Sequence, residues 1–104
     1  MNDRLLSALS LCRKAGRLTL GMDVCQQAAQ DGTARLMLTA SDLAPRSRRR
    51  IEETCEAVKL PIASLPYDME QLWSVLGRRC GILAVCDEGF ANMVLGLLPQ
   101  RQEA

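Results

Sequence analysis

Residues 35–45 read RLMLTASDLAP, and this stretch decides the fold. Leu36, Met37 and Leu38 form an unbroken apolar run. Such a run marks a strand covered on both faces, because a strand with one wet face alternates apolar and polar residues. Ser41 and Asp42 then supply a capping side chain and Pro45 a first-turn proline, so a helix is expected from there to about Lys59. In that helix Ile51, Cys55 and Val58 recur at spacings of four and three. Arg46, Arg48, Arg49, Glu52, Glu53 and Glu56 fall mostly on the other side, giving an amphipathic cover for a sheet.

The same alternation extends in both directions. Upstream, Leu5, Leu6, Ala8, Leu9, Leu11 and Cys12 recur at helical spacing from Arg4 to Lys14, and Gly16 closes that helix. Leu18 to Leu20 is a short strand. Gly21 opens a second helix, Met22 to about Gln30, with Val24, Cys25, Ala28 and Ala29 on its buried side and Asp31 and Gly32 at its end. Downstream, Pro61 to Leu65 is a third strand, and Asp68 caps a helix that runs through Leu76 and stops at Gly77. Ile82 to Cys86 is a fourth, almost wholly apolar strand, and a last helix runs from Glu88 or Gly89 to Leu98, before Pro99. The order α-β-α-β-α-β-α-β-α predicts an α/β protein: a three-layer α/β/α sandwich around a four-stranded mixed sheet, with residues 1–104 as one domain.

Composition narrows the function. With 104 residues and 48% hydrophobic content the chain can bury a core without staples. Tyr67, Trp73 and Phe90 are its three aromatic residues, so a surface lined with stacking platforms for single-stranded nucleic acid is not expected. Cys12, Cys25, Cys55, Cys80 and Cys86 form no CxxC pair and there is no histidine, so neither a metal site nor another cofactor is expected. Each cysteine sits among apolar neighbours, as buried thiols do in a reducing cytoplasm. The segment from Met1 to Leu11 has neither a signal-peptide pattern nor the length of a membrane span. Without histidine, GxSxG, a P-loop or GxGxxG there is no catalytic constellation, and the chain reads as a non-enzyme. A ligand site in such a sheet would lie near Asp42 or Asp87, beyond strand ends.

Net charge is only +1, but it is unevenly placed. Residues 1–50 hold nine Lys or Arg against Asp3, Asp23, Asp31 and Asp42, a balance of +5; the remainder holds four bases against eight acids, a balance of −4. The densest positive run is Arg46, Ser47, Arg48, Arg49, Arg50. Guanidinium forks match phosphate oxygens, although Arg48 and Arg49 also stand one turn from Glu52 and Glu53, where they could form exposed ion pairs. Arg13, Lys14 and Arg17 form a second cluster at the end of the first helix, where cations also complement the helix dipole. Gly21, between a strand and a helix, is either a tight turn or a place where free amides and the positive end of the dipole receive a phosphate.

The segment LCRKAGRLTLGMDVCQQAAQDGTARLMLTASD, followed by an amphipathic helix, LPIASLP and GILAVCDEGFA, resembles the ribosomal protein superfamily of kink-turn RNA binders, of the L7Ae/L30e type, and within it the bacterial YlxQ-like branch. The resemblance spans about Leu5 to Leu97, with Gly32, Ala34, Arg35, Ala40 and Asp42 in place. It implies a cytoplasmic, ribosome- or translation-associated protein that binds structured, kinked or bulged RNA, with neither DNA nor membrane as partner. It also implies an RNA-reading turn at Gly21, Asp23, Val24 and Gln27, where kink-turn binders carry Gly, Asn, Glu and Lys, and a second RNA-facing loop at Arg78 and Arg79. Arg13, Lys14, Arg17, Arg46, Arg48 and Arg49 would supply phosphate contacts. Val24 and Gln27 depart from the pattern and motivate the alternative: a protein-interaction module that kept the fold and lost RNA binding. Oligomeric state is not legible from the sequence.

Overall fold

In the computed structural model, which describes residues 3–98, the chain forms five helices and four strands in the expected order. They are α1 (Arg4–Lys14), β1 (Leu18–Leu20), α2 (Met22–Gln30), β2 (Leu36–Thr39), α3 (Pro45–Val58), β3 (Ile62–Ser64), α4 (Met69–Leu76), β4 (Ile82–Val85) and α5 (Glu88–Leu97). Pro99, expected to follow the last helix, and Met1 and Asn2, at the start of the expected non-signal segment, lie outside the described residues.

The strands lie in the order β1-β4-β2-β3. β4 pairs antiparallel with β1 on one side and with β2 on the other, whereas β2 and β3 are parallel, so the sheet is mixed. Its two faces bury different sets of side chains. Leu36, Leu38, Leu83 and Val85 pack with Leu5, Leu9, Leu72 and Val94 from α1, α4 and α5, while Met37, Ile82 and Ala84 pack with Cys25, Ala28, Ala29, Ile51 and Cys55 from α2 and α3. Period-two alternation within each fully buried strand sends neighbours to opposite layers, which is why both faces must be apolar.

Local chemistry sets the helix ends. The Asp3 carboxylate accepts from the amides of Leu5 and Leu6 at the start of α1, Asp68 and Gln71 form a reciprocal capping box on α4, and Asp87 accepts from Phe90 N at 2.9 Å. The expected cap of α3 is different. Its N-cap is Ala44, with no side-chain cap, and Pro45 alone shapes the first turn. Asp42 lies too early in the chain to reach that helix and instead accepts from Met69 N at 3.0 Å, holding the start of α4.

Three inward-facing assignments also change. Val24 is 51% exposed and Val58 is 41% exposed, because the buried stripes run through Cys25, Ala28 and Ala29 on α2 and through Ile51 and Cys55 on α3. Cys86 is half-buried, just past the end of β4, while the other four thiols are buried.

Candidate nucleic-acid interface

Because β1, β2 and β3 run in one direction and β4 in the other, the last residues of three strands and the first of β4 share one end of the sheet. Gly21 N donates to Ile82 O at 2.9 Å, Ala40 N to Gly81 O at 2.9 Å and Leu65 N to Thr39 O at 2.7 Å. This end therefore collects the N-termini of α2, α3 and α4 together with the loop from Gly77 to Gly81. Three helix dipoles present their positive ends there.

Gly21 is the N-cap of α2, with φ 105° and ψ 154°, a region that only glycine occupies without strain. No side chain caps the helix, so its first amides are available to a ligand oxygen. Beneath this turn the Cys25 thiol lies 3.5 Å from Thr19 O and 3.6 Å from Ile82 O, and burial pushes it up to about 12. It is a neutral peg between α2 and the sheet.

The loop before β4 approaches the same turn: Arg78 Nη2 lies 3.9 Å from where a Cβ on Gly21 would stand. That loop packs closely at Gly81, where a Cβ would meet Leu43 Cδ1 at 2.7 Å and Met69 Sδ at 3.2 Å, so a larger residue there would displace those two side chains. Burial raises the Cys80 thiol, and the charges of Arg78 and Arg13 oppose that rise, so both guanidiniums contribute to the positive field around this loop.

The other expected RNA contacts divide. Asp23, Val24 and Gln27 are all exposed on one side of α2, where with Thr19, Ala28, Asp31 and Thr33 they line a shallow groove of about 420 Å³. Arg46 and Arg49 are exposed beside Pro45 on the first turns of α3, at the Gly21 end. Arg79 is exposed in the loop before β4. Arg48 is half-buried and turned inward: its Nη1 donates to Thr39 Oγ1 at 3.0 Å and its Nη2 to Ala40 O at 2.9 Å. Thr39 is the one buried polar side chain among the described residues, so Arg48 answers a need of the core.

Arg13, Lys14 and Arg17 are exposed where α1 ends and β1 begins. Arg17 O accepts from Cys86 N at 2.8 Å, which fixes its backbone at the opposite end of the sheet from Gly21. The intervening strand spans roughly 13 Å at the usual rise per residue. The Arg17 backbone therefore stands a strand's length from Gly21, whereas the Arg13 charge reaches Cys80 in the loop before β4. Asp42 and Asp87, beyond strand ends, each accept from a helix amide, that of Met69 and that of Phe90.

The order of elements, the mixed sheet and a glycine-opened α2 facing the loop before β4 define the architecture, and comparison gives the class: the chain belongs to the ribosomal protein L7Ae/L30e/S12e/Gadd45 family, which it matches over residues 3–95. It is similar to RNA-binding protein YlxQ of Bacillus subtilis, with 28% identity over 95 residues, covering 86% of this chain and 90% of that one. It is also similar to large ribosomal subunit protein eL30 of Aeropyrum pernix, with 30% identity over 93 residues, covering 88% and 89%. Among solved structures, a Bacillus halodurans protein of unknown function superposes with a TM-score of 0.86 at 23% identity, covering 92% of this chain and 97% of that one. A Giardia lamblia 15.5kD RNA binding protein superposes at 0.75 and 15%, covering 93% and 87%, and these two likenesses speak to the fold.

Proposed function

We propose that this protein binds structured RNA, kinked or bulged, through the end of the sheet that carries Gly21, and that it does so in a cytoplasmic, translation-associated setting without catalysing a reaction. The observation that carries the reading is the approach of Arg78 to Gly21: an uncapped helix N-terminus and a guanidinium converge on one point. Backbone amides and an arginine fork are the two groups that hold a phosphate best. Arg46, Arg49 and Arg79 extend the positive surface outward. Family membership and the likeness to an RNA-binding protein and a ribosomal protein support the same reading.

Val24 and Gln27 replace the polar and charged groups that the resemblance places on the first turns of α2, so base reading there gives way to phosphate contact and shape. Affinity is then mainly electrostatic and falls steeply with salt. Fluorescence anisotropy against a kink-turn RNA and a straight duplex of equal length, at low and near-physiological salt, tests this. Tighter binding of the kinked RNA at both salts is expected. Equal weak binding reduces the site to a basic surface, and no binding at either salt favours the protein-interaction module.

A further inference from the structure

The chain has a single tryptophan, and the fold leaves it at the surface: Trp73 is 49% exposed, whereas Tyr67 is buried and Phe90 is half-buried against the core. Its position on α4 is specific. Leu72 and Leu76 point into the core, and Val75 faces α1, where it lines a groove with Leu6 and Leu11. Trp73 lies on the other flank, one turn after Met69 and on the same side of the helix, and Met69 packs against Gly81 in the loop before β4. The chain then turns at once: Gly77 N donates to Trp73 O at 2.8 Å, Gly77 takes φ 75°, and Arg78 and Arg79 follow. An exposed indole thus stands on the helix that leads directly into the arginine loop that reaches Gly21.

We infer that Trp73 is a stacking surface for one unpaired base of the RNA held at the Gly21 end. The inference rests on the RNA-binding reading and adds a residue that neither the charge pattern nor the resemblance assigns. An indole exposed to water on an otherwise packed helix presents a flat apolar face, and an extrahelical base has the matching one. A base inside a duplex does not, because its neighbours cover both its faces. The neighbouring Arg78 and Arg79 favour a nucleic acid over an apolar protein surface, since they neutralise the phosphates on either side of the stacked nucleotide. Glu70, one turn before Trp73, is exposed on the same helix and disfavours a phosphate over the ring itself, which leaves the ring to the base.

Because there is one tryptophan, its emission reports this site alone. The full chain is titrated with a fluorescein-labelled RNA carrying a single bulged uridine, with the same RNA abasic at that position, and with the fully paired duplex. Anisotropy and indole emission are followed together. The expected result is quenching by the bulged RNA and little by the other two. Trp73→Ala weakens the bulged RNA by about tenfold and leaves the abasic RNA unchanged, and Trp73→Phe keeps most of the affinity. Binding of all three RNAs with unchanged emission, or equal affinity of wild type and Trp73→Ala for the bulged RNA, overturns the inference while the RNA-binding reading stands. Absence of binding to any RNA by the wild-type chain overturns that reading, and the stacking role falls with it.

Discussion

The hydroxyl of Tyr67 donates to Asp3 Oδ1, while the same carboxylate oxygen accepts the amides of Leu5 and Leu6. One side chain thereby caps α1 and fastens it to the segment between β3 and α4. The Tyr67 hydrogen bond, followed by the two amides, holds the Asp3 carboxyl below its ordinary range despite an opposing contribution from burial. Burial, followed by the carboxylate, drives the Tyr67 phenol well above its own.

Tyr67→Phe therefore costs about 1–2 kcal/mol at pH 7, read by urea denaturation. A carboxylate whose pKa is lower folded than unfolded contributes stability above the unfolded value, near 4, and loses it as pH falls through the folded value. The gap between wild type and Tyr67→Phe should accordingly narrow below pH 4; a gap constant down to pH 2 would contradict the assignment.

Arg48 and Arg49 are neighbours in sequence with different work. Arg48→Ala leaves Thr39 Oγ1 and Ala40 O short of a donor and should cost about 1–3 kcal/mol, whereas Arg49→Ala stays within about 0.5 kcal/mol of wild type. Thermal denaturation of the two single mutants separates them.

Lys59 ends α3 in the left-handed region, with φ 59°, where its N–H bonds back to the last turn. Glycine reaches that conformation without a Cβ penalty. Lys59→Gly should raise stability by about 0.5–1 kcal/mol, which a shift in the urea midpoint at unchanged slope would register.

The thiols rank by burial. Cys25 is pushed up to about 12 and Cys12 and Cys55 to about 11, in each case chiefly by burial. An alkylating reagent at pH 8 should modify half-buried Cys86 first and the other four only as the protein unfolds, as mass spectrometry of the time course would show. A thiol with a raised folded pKa stabilises the protein fully below its unfolded value, near 8.5, and this stability drains away as pH climbs towards 11–12.

At the proposed RNA surface, Arg78→Ala should weaken structured RNA and lower the slope of log affinity against log salt by about one, the signature of one lost phosphate contact. Arg48→Ala, corrected for its stability, should leave the slope unchanged. Equal slopes for Arg78→Ala and wild type would remove Arg78 from the interface.

Features governed by a few adjacent residues could be read from the chain. Gly16, Asp68 and Gly77 end or cap helices through bonds spanning at most four residues, and the Leu36–Leu38 run needed no partner to declare itself buried. Other features are decided by partners remote in the chain. Asp42 caps a helix that begins 27 residues later. Val24 and Val58 are apolar yet exposed, because the width of each buried stripe depends on what packs over it. At the site, composition pointed to arginines and to Gly21, but only the antiparallel pairing of β1 with β4 brings Arg78 to that glycine, and only the buried hydroxyl of Thr39 turns Arg48 inward.

The placement of β4 bears on how the protein is made. It is the second-last element among the described residues, yet it lies between β1 and β2. Synthesis delivers the N-terminus first, at about 5–20 residues per second. Until Leu83, Ala84 and Val85 have left the ribosome, β1 has no strand to pair with. Before that the nascent chain can form only the parallel β2 and β3 pair, and β4, an inner strand, joins the two sides of the sheet last among the four strands. A chain cut before Ile82 would keep α1 to α4 but lose α5 and the seam that joins β1 to the rest of the sheet.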